Sequence, residues 1–195
     1  MNIFYLDEDP DTCARQHNDK HCVKMIVEYA QLMSSAHRVL DGVEYQGRTA
    51  NGRRIARWFH PDGYLQDTLY KVAHLNHPST KWVRQSKSHY EYLYNLWIAL
   101  CAEYTYRYGK IHETQRKLEG ALYFAPVNIG VNPFVEPPPA MKHYPQCIVT
   151  GDSIASYRNY YREAKSGFAV WTKRDAPEWW SEYEREGKQT ETQIS

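Results

Sequence analysis

The sequence is close to electroneutral and lacks most of the short motifs that announce a chemistry. Its 24 Lys and Arg stand against 23 Asp and Glu, a net charge of +1. A protein that coats nucleic acid through bulk positive charge is therefore excluded, although local basic patches are not. No cysteine pair has C-x-x-C spacing, because Cys13, Cys22, Cys101 and Cys147 are scattered. Zinc ribbons and thioredoxin motifs lose their support, and free thiols in a reducing compartment, the cytoplasm, become the expectation. No apolar run is long enough for a membrane span, so no membrane partner is expected. The opening "MNIFYLDEDP" carries acid where a secretory leader would carry base. The phosphate-loop, dinucleotide and nucleophile-elbow glycine motifs are missing, as is the zinc-deaminase signature. No cofactor and no metal are expected, and the oligomeric state is left open.

Aromatic side chains, in contrast, are plentiful. They make up 14% of the chain, with 17 Tyr, inside a hydrophobic content of 42% that is normal for a folded domain. Tyr and Trp suit both a core and a surface on which bases stack. The 195 residues read as one domain over 1–186 and a flexible tail over 187–195.

Hydrophobic spacing predicts a mainly α chain with little β. "NIFYL" reads as a short buried strand ended by "DEDPD", and a helix follows over about residues 12–39, stopped by Asp41-Gly42. A small hairpin is expected about Asn51-Gly52, then a helical turn near "YLQDTLYKVA" and a helix start at Pro78. The next helix, or pair of helices jointed near Ser86, ends at Gly109 and buries Tyr90, Leu93, Trp97, Leu100, Cys101 and Tyr104. A shorter helix over "IHETQRKLEGALYF" precedes a loop over 125–147 that holds six prolines. Asp152 caps a further helix, and "APEWWSEYERE" gives the last.

On the first long helix, His17, His21, Lys24 and Glu28 fall on one line, since each residue turns the helix by about 100°. Gln31 and Ser35 extend it, and the apolar set Cys22, Met25, Ile26, Tyr29, Met33 and Ala36 lies alongside. An ordinary core flank with a Lys24–Glu28 pair would look the same. So would a catalytic row on a cleft wall, with Lys24 as amine nucleophile and Glu28 as its acid–base partner. His17-x-x-x-His21 has metal-ligand spacing but lacks the glutamate of the zinc-protease helix.

Four further clusters mix bases with aromatics. Asn76, His77 and Lys81 stand at a helix entrance, where free N–H groups can hold an anion. Arg107, Lys110 and His112 interleave with Tyr104, Tyr106 and Tyr108 about a Gly break. Arg158 lies in "SYRNYYREAK" and Lys173 in "WTKRDAPEWW". Residues 46–57 hold four Arg and no acid. Single clusters are explained by capping or helix dipoles, but their recurrence suggests a common anionic ligand, with nucleic acid or a nucleotide as the natural candidate.

The segments "DKHCVKMIVEYAQLMSSAHRVL", "NHPSTKWVR", "YTYRYGKIH" and "ASYRNYYREAKSGFAVWTKRDAPEWW" together resemble a family of small tailed-phage proteins. More loosely, the first helix and its glutamate resemble the pyrimidine-dimer DNA glycosylases. That resemblance implies a compact α-helical enzyme whose N-terminal amine attacks the sugar C1′, with a glutamate assisting and strand cleavage by β-elimination through an imine. Glu28 matches the glutamate. The family's processed threonine has no counterpart at Asn2, so the amine role falls to Lys24, with His17 and His21 orienting or relaying protons. Asn76, His77, Lys81, Arg107, Lys110, His112, Arg158 and Lys173 would hold phosphates of a pyrimidine-containing DNA. A second resemblance, to phage enzymes that displace a phosphate from a hypermodified thymidine on DNA, implies the same partner. A non-catalytic nucleic-acid or nucleotide binding protein is the third reading.

Overall fold

Two short capping signals shape the head of the chain. Asp9 accepts the Thr12 amide at 2.8 Å with Pro10 at the first helical position, and this starts α1 (Pro10–Gln16). Asn18 accepts the His21 amide at 2.9 Å and starts α2 (Asp19–Asp41). The single helix expected over 12–39 is thus two. Asn18 takes one free amide of the new helix and has extended φ/ψ, so the chain bends there. In the computed structural model, which describes residues 1–184, the mainly α expectation holds.

Gly42 closes α2 by approach rather than by freedom of φ. A Cβ there would lie 2.3 Å from the Arg38 carbonyl oxygen and 2.9 Å from that of Phe59. Only glycine lets the hairpin leave directly from the helix end. β1 (Val43–Arg48) and β2 (Arg54–Phe59) pair antiparallel, with Val43 opposite Phe59 and Arg48 opposite Arg54. Gly52 supplies the positive φ of the turn, so the expected hairpin is present. It is the one sheet among the described residues.

α3 (Gly63–Thr68) is capped by Asp62, and α4 (Pro78–Gln85) begins at the expected proline. Ser86 is the joint before α5 (Lys87–Tyr108), which Gly109 ends in the left-handed region at φ 69°. α6 (Glu113–Leu122) follows, and residues 125–147 run as a strap with one 3-10 turn at Pro145–Cys147. Asp152 caps α7 (Ser153–Lys165), and a helical stretch occupies 178–184. The expected tail over 187–195 lies outside the described residues.

The core is built on α2 against α4, α5 and α6, with α1 packed on α5. Every apolar residue expected to be buried on α2 and α5 is buried. "NIFYL" is buried too, at Ile3, Phe4, Tyr5 and Leu6, but it pairs with no strand. Its Phe4 amide goes to a tyrosine hydroxyl instead, which removes the need for a sheet partner. No helix among the described residues is long and apolar enough to cross a membrane.

Two buried arginines lock the periphery to this core. Arg38 donates all five N–H groups, to the carbonyls of Tyr70, Trp58, Gln66 and Leu69 and to Gln66 Oε1, at 2.7–3.2 Å. Arg107 pairs with Asp19 at 2.9 Å and Glu103 at 2.8 Å, and caps the carbonyls of His17 and Arg15. Arg174, in the segment that follows α7, joins Glu103 at 2.9 Å. Burial alone would raise the Glu103 carboxyl, but the two guanidiniums overcome it and hold it below the usual carboxylate range.

Candidate active site

Glu28 sits on the shoulder of α2, and two amines meet it. The Met1 amine lies 3.7 Å from Oε2, and Lys24 Nζ lies 3.1 Å from Oε1. Their settings differ: the Met1 side chain is 5% exposed and that of Lys24 is 67% exposed. A packed residue holds its backbone amine in one place, whereas a solvated lysine stem samples many rotamers.

A relay of hydrogen bonds positions the head of the chain. Phe4 N–H donates to the Tyr29 hydroxyl at 3.0 Å, Tyr29 donates to His17 Nε2 at 2.9 Å, and His17 Nδ1–H donates to the Cys13 carbonyl at 2.8 Å. The directions are forced. The Cys13 carbonyl can only accept, so neutral His17 carries its proton on Nδ1 and must receive one at Nε2. Burial pushes the His17 pKa down to about 4, which keeps the ring neutral.

His21 closes the other side. Its ring stacks on Phe4 at a centroid distance of 4.1 Å, and its Nδ1 is 2.6 Å from the Tyr161 hydroxyl. Burial pushes its pKa down to about 2. Neither imidazole faces solvent, since both are buried. They touch Tyr29 and Phe4, which lie between them and the Met1–Glu28 pair in the hydrogen-bonded chain described above.

α4 brings His77 to the open side. Its Nδ1 accepts the Ser79 amide at 3.2 Å, so the ring caps the helix. Burial lowers its pKa; the charges of the Met1 amine and His74 add to this, and Glu28 opposes it. His77 is thus within electrostatic reach of both members of the amine–carboxylate pair. Asn76 and Lys81 flank it, exposed.

The remaining expected residues lie apart from this group. Arg107 is wholly buried in the ion network described above. Arg158 donates to the Leu6 carbonyl at 3.0 Å and faces Asp7 at 3.6 Å. His112 caps α6 through the Thr114 amide, with exposed Lys110 in the turn before it. Lys173 reaches the Tyr106 carbonyl at 3.3 Å.

Further residues, absent from the expected set, stand near this group. A cleft of about 880 Å³ opens between α2, the hairpin and the segment after α3. Gln31, Tyr45, Arg48, Arg57, Lys71 and Lys117 line it. Gln31 follows Glu28 by one helical turn, and the lining ends at Ala73 beside His74. The acid-free run over 46–57 was the signal for these arginines. The N-terminal amine was signalled only by the family resemblance, and the residue at position 2 moved its role to Lys24.

Amine, carboxylate and an adjoining cationic cleft can bind a polyanion and form an imine with a sugar carbon. No curated protein and no solved structure matches the chain. A family model described as pyrimidine dimer DNA glycosylase matches residues 1–116, a span that includes Met1, Glu28, His77 and the hairpin. Since that match covers more than half of its residues, the chain belongs to the pyrimidine dimer DNA glycosylase family.

Proposed function

We propose that the protein is a DNA glycosylase with coupled strand cleavage, acting at a damaged pyrimidine through the Met1 amine and Glu28. The observation that carries this reading is the 3.7 Å approach of the Met1 amine to the Glu28 carboxylate on a packed chain head. Free α-amines are less basic than lysine side chains as a class, so a larger share is nucleophilic at neutral pH.

In this mechanism the amine lone pair attacks C1′, and the N-glycosidic bond breaks with its electron pair leaving on the base. Glu28 stabilises the cationic sugar. Ring opening then gives an imine between C1′ and the amine. Removal of a C2′ proton expels the 3′ phosphate by β-elimination, with Glu28 as the nearest carboxylate for that proton. Lys24 pairs with Glu28 and offers a second, less ordered amine. Asn76, His77 and Lys81 hold phosphates on one side, and Arg48 and Arg57 on the other. Lys110, His112 and Lys173 serve a more distant stretch of duplex, while Arg107 and Arg158 act within the fold.

The test is borohydride trapping on a duplex bearing one thymine dimer. The expected result is a covalent adduct mapped by mass spectrometry to the first residue, retained in Lys24→Ala and lost when a Gly-Ser extension displaces the amine. An adduct at Lys24 would transfer the nucleophile role to that side chain. Base release without any adduct would remove the imine route. A mass gain on modified thymidine without scission would turn the reading to a transferase, and binding without turnover to a non-catalytic protein.

A further inference from the structure

At the far end of α2, 13 residues and therefore about 20 Å beyond Glu28, a second polar cluster is unused by this chemistry. His37 and Asp41 stand one turn apart on the helix, and His60 arrives from the end of β2. One nitrogen of each ring and a carboxylate oxygen all lie within 4.8 Å of one another. His37 is 3% exposed and His60 4% exposed. Neither His37 Nδ1 nor His60 Nε2 makes a hydrogen bond of good geometry, and the Phe124 backbone stands beside the His37 ring. Buried, unpaired ring nitrogens are costly, and two facing one carboxylate call for a common partner. We propose that His37, Asp41 and His60 bind a divalent first-row transition ion, with zinc the leading candidate.

The surroundings fit that role. The Tyr90 hydroxyl donates to the Leu122 carbonyl at 2.9 Å, so it has no proton left for His37 Nε2, 2.9 Å away. His37 must donate from Nε2, which leaves Nδ1 as a bare lone pair. An outer hydrogen bond of this kind is how a protein fixes the tautomer of a metal-ligating histidine. Asp41 is oriented by the amides of Val127 and Asn128, at 2.8 and 2.9 Å, and by Asn128 Nδ2 at 3.0 Å. Two imidazoles and a carboxylate are a donor set of zinc and its neighbours in the series.

One adjustment is required at His60. Its Nδ1 accepts the Asp62 amide at 3.1 Å, so in the neutral ring the proton is on Nε2. Binding an ion at Nε2 moves that proton to Nδ1 and releases the Asp62 amide, which lies in an exposed residue and can turn to water. The three donors must also close to about 3.4 Å apart for tetrahedral geometry. A fourth position would face the cavity of about 500 Å³ whose walls include Tyr64, Leu65 and Phe124, leaving room for water or a small ligand. The ion would tie the end of α2 to the return of the hairpin, independently of the amine–carboxylate site.

The experiment is titration of chelator-treated full-length protein with cobalt chloride, and separately with zinc chloride. One equivalent of cobalt should give the visible bands of a four-coordinate ion. Zinc should be retained at one equivalent and raise the melting temperature. In Asp41→Asn and His60→Gln, affinity should fall by about 100-fold or more. Should those variants fail to fold, paramagnetic displacement of the His37 and His60 ring signals in the unaltered protein gives the same answer. Absence of a retained equivalent, bands that survive both substitutions, or unmoved ring signals would overturn the site.

Discussion

The Phe4 amide donates to the Tyr29 hydroxyl at 3.0 Å, one residue from Glu28 on α2. This bond ties the head of the chain to α2 beside Glu28, so the packing of a core tyrosine and the placement of the proposed nucleophile are one interaction. Tyr29→Phe keeps the ring but leaves the Phe4 amide and His17 Nε2 unpaired. We expect a loss of about 1–3 kcal/mol in denaturant unfolding. Adduct formation should fall further than in Lys24→Ala, because the amine loses its register.

Glu28→Gln preserves shape and removes the charge. Strand cleavage should drop by about 10²–10⁴-fold, while the affinity for a dimer-bearing duplex stays near that of the parent. Single-turnover rates beside equilibrium binding separate the two. A parallel loss of binding would place Glu28 in recognition rather than chemistry.

The cationic cleft makes a salt-dependent prediction. Arg48→Ala and Arg57→Ala should each weaken DNA binding whatever the sequence, and each should reduce the slope of log K against log salt by about 0.9. Arg107→Gln should leave that slope unchanged where the protein remains folded, because its guanidinium is buried among Asp19 and Glu103.

Arg38 is a structural keystone. Arg38→Met removes all five of its donors and strands the carbonyls of Trp58, Gln66, Leu69 and Tyr70. A destabilisation of about 3–5 kcal/mol is expected in chemical denaturation, with the hairpin amides exchanging first.

Acid should unfold the protein through its histidines. Burial holds His17 and His37 down to about 4 and His21 down to about 2. Below the ordinary histidine value near 6.5, the unfolded chain takes up protons that the folded one refuses. Stability therefore falls as pH drops from about 6.5 towards 4, by about 4 kcal/mol per pH unit for the three together. The depressed Glu103 carboxyl acts in the same direction at lower pH. Melting curves across that range measure it, and His21→Phe should flatten the slope.

The residue pattern by itself determined the mainly α class, the helix boundaries at Pro78, Gly109 and Asp152 and the buried faces of α2 and α5, but not the break at Asn18 that splits the first helix. Periodicity, Asp and Pro at helix starts, and Gly109 at a helix end act within a few residues, so they are visible along the chain. The Lys24–Glu28 pair and the arginine-rich hairpin were visible for the same reason, but the expected row was not one line: His17 lies in the break between α1 and α2, and both His17 and His21 are buried while Lys24 is exposed. Which of those groups meet was decided only by the tertiary structure. Arg107 was expected to hold a phosphate and is instead enclosed, because Asp19, 88 residues away, and Glu103 pair with it, and Arg174 covers Glu103 from the other side. The Met1 amine faces Glu28 only because "NIFYL" is buried without a sheet partner. His37, Asp41 and His60 face one another only because Gly42 lets the hairpin turn back at once. Such meetings depend on long-range packing, which no local spacing encodes.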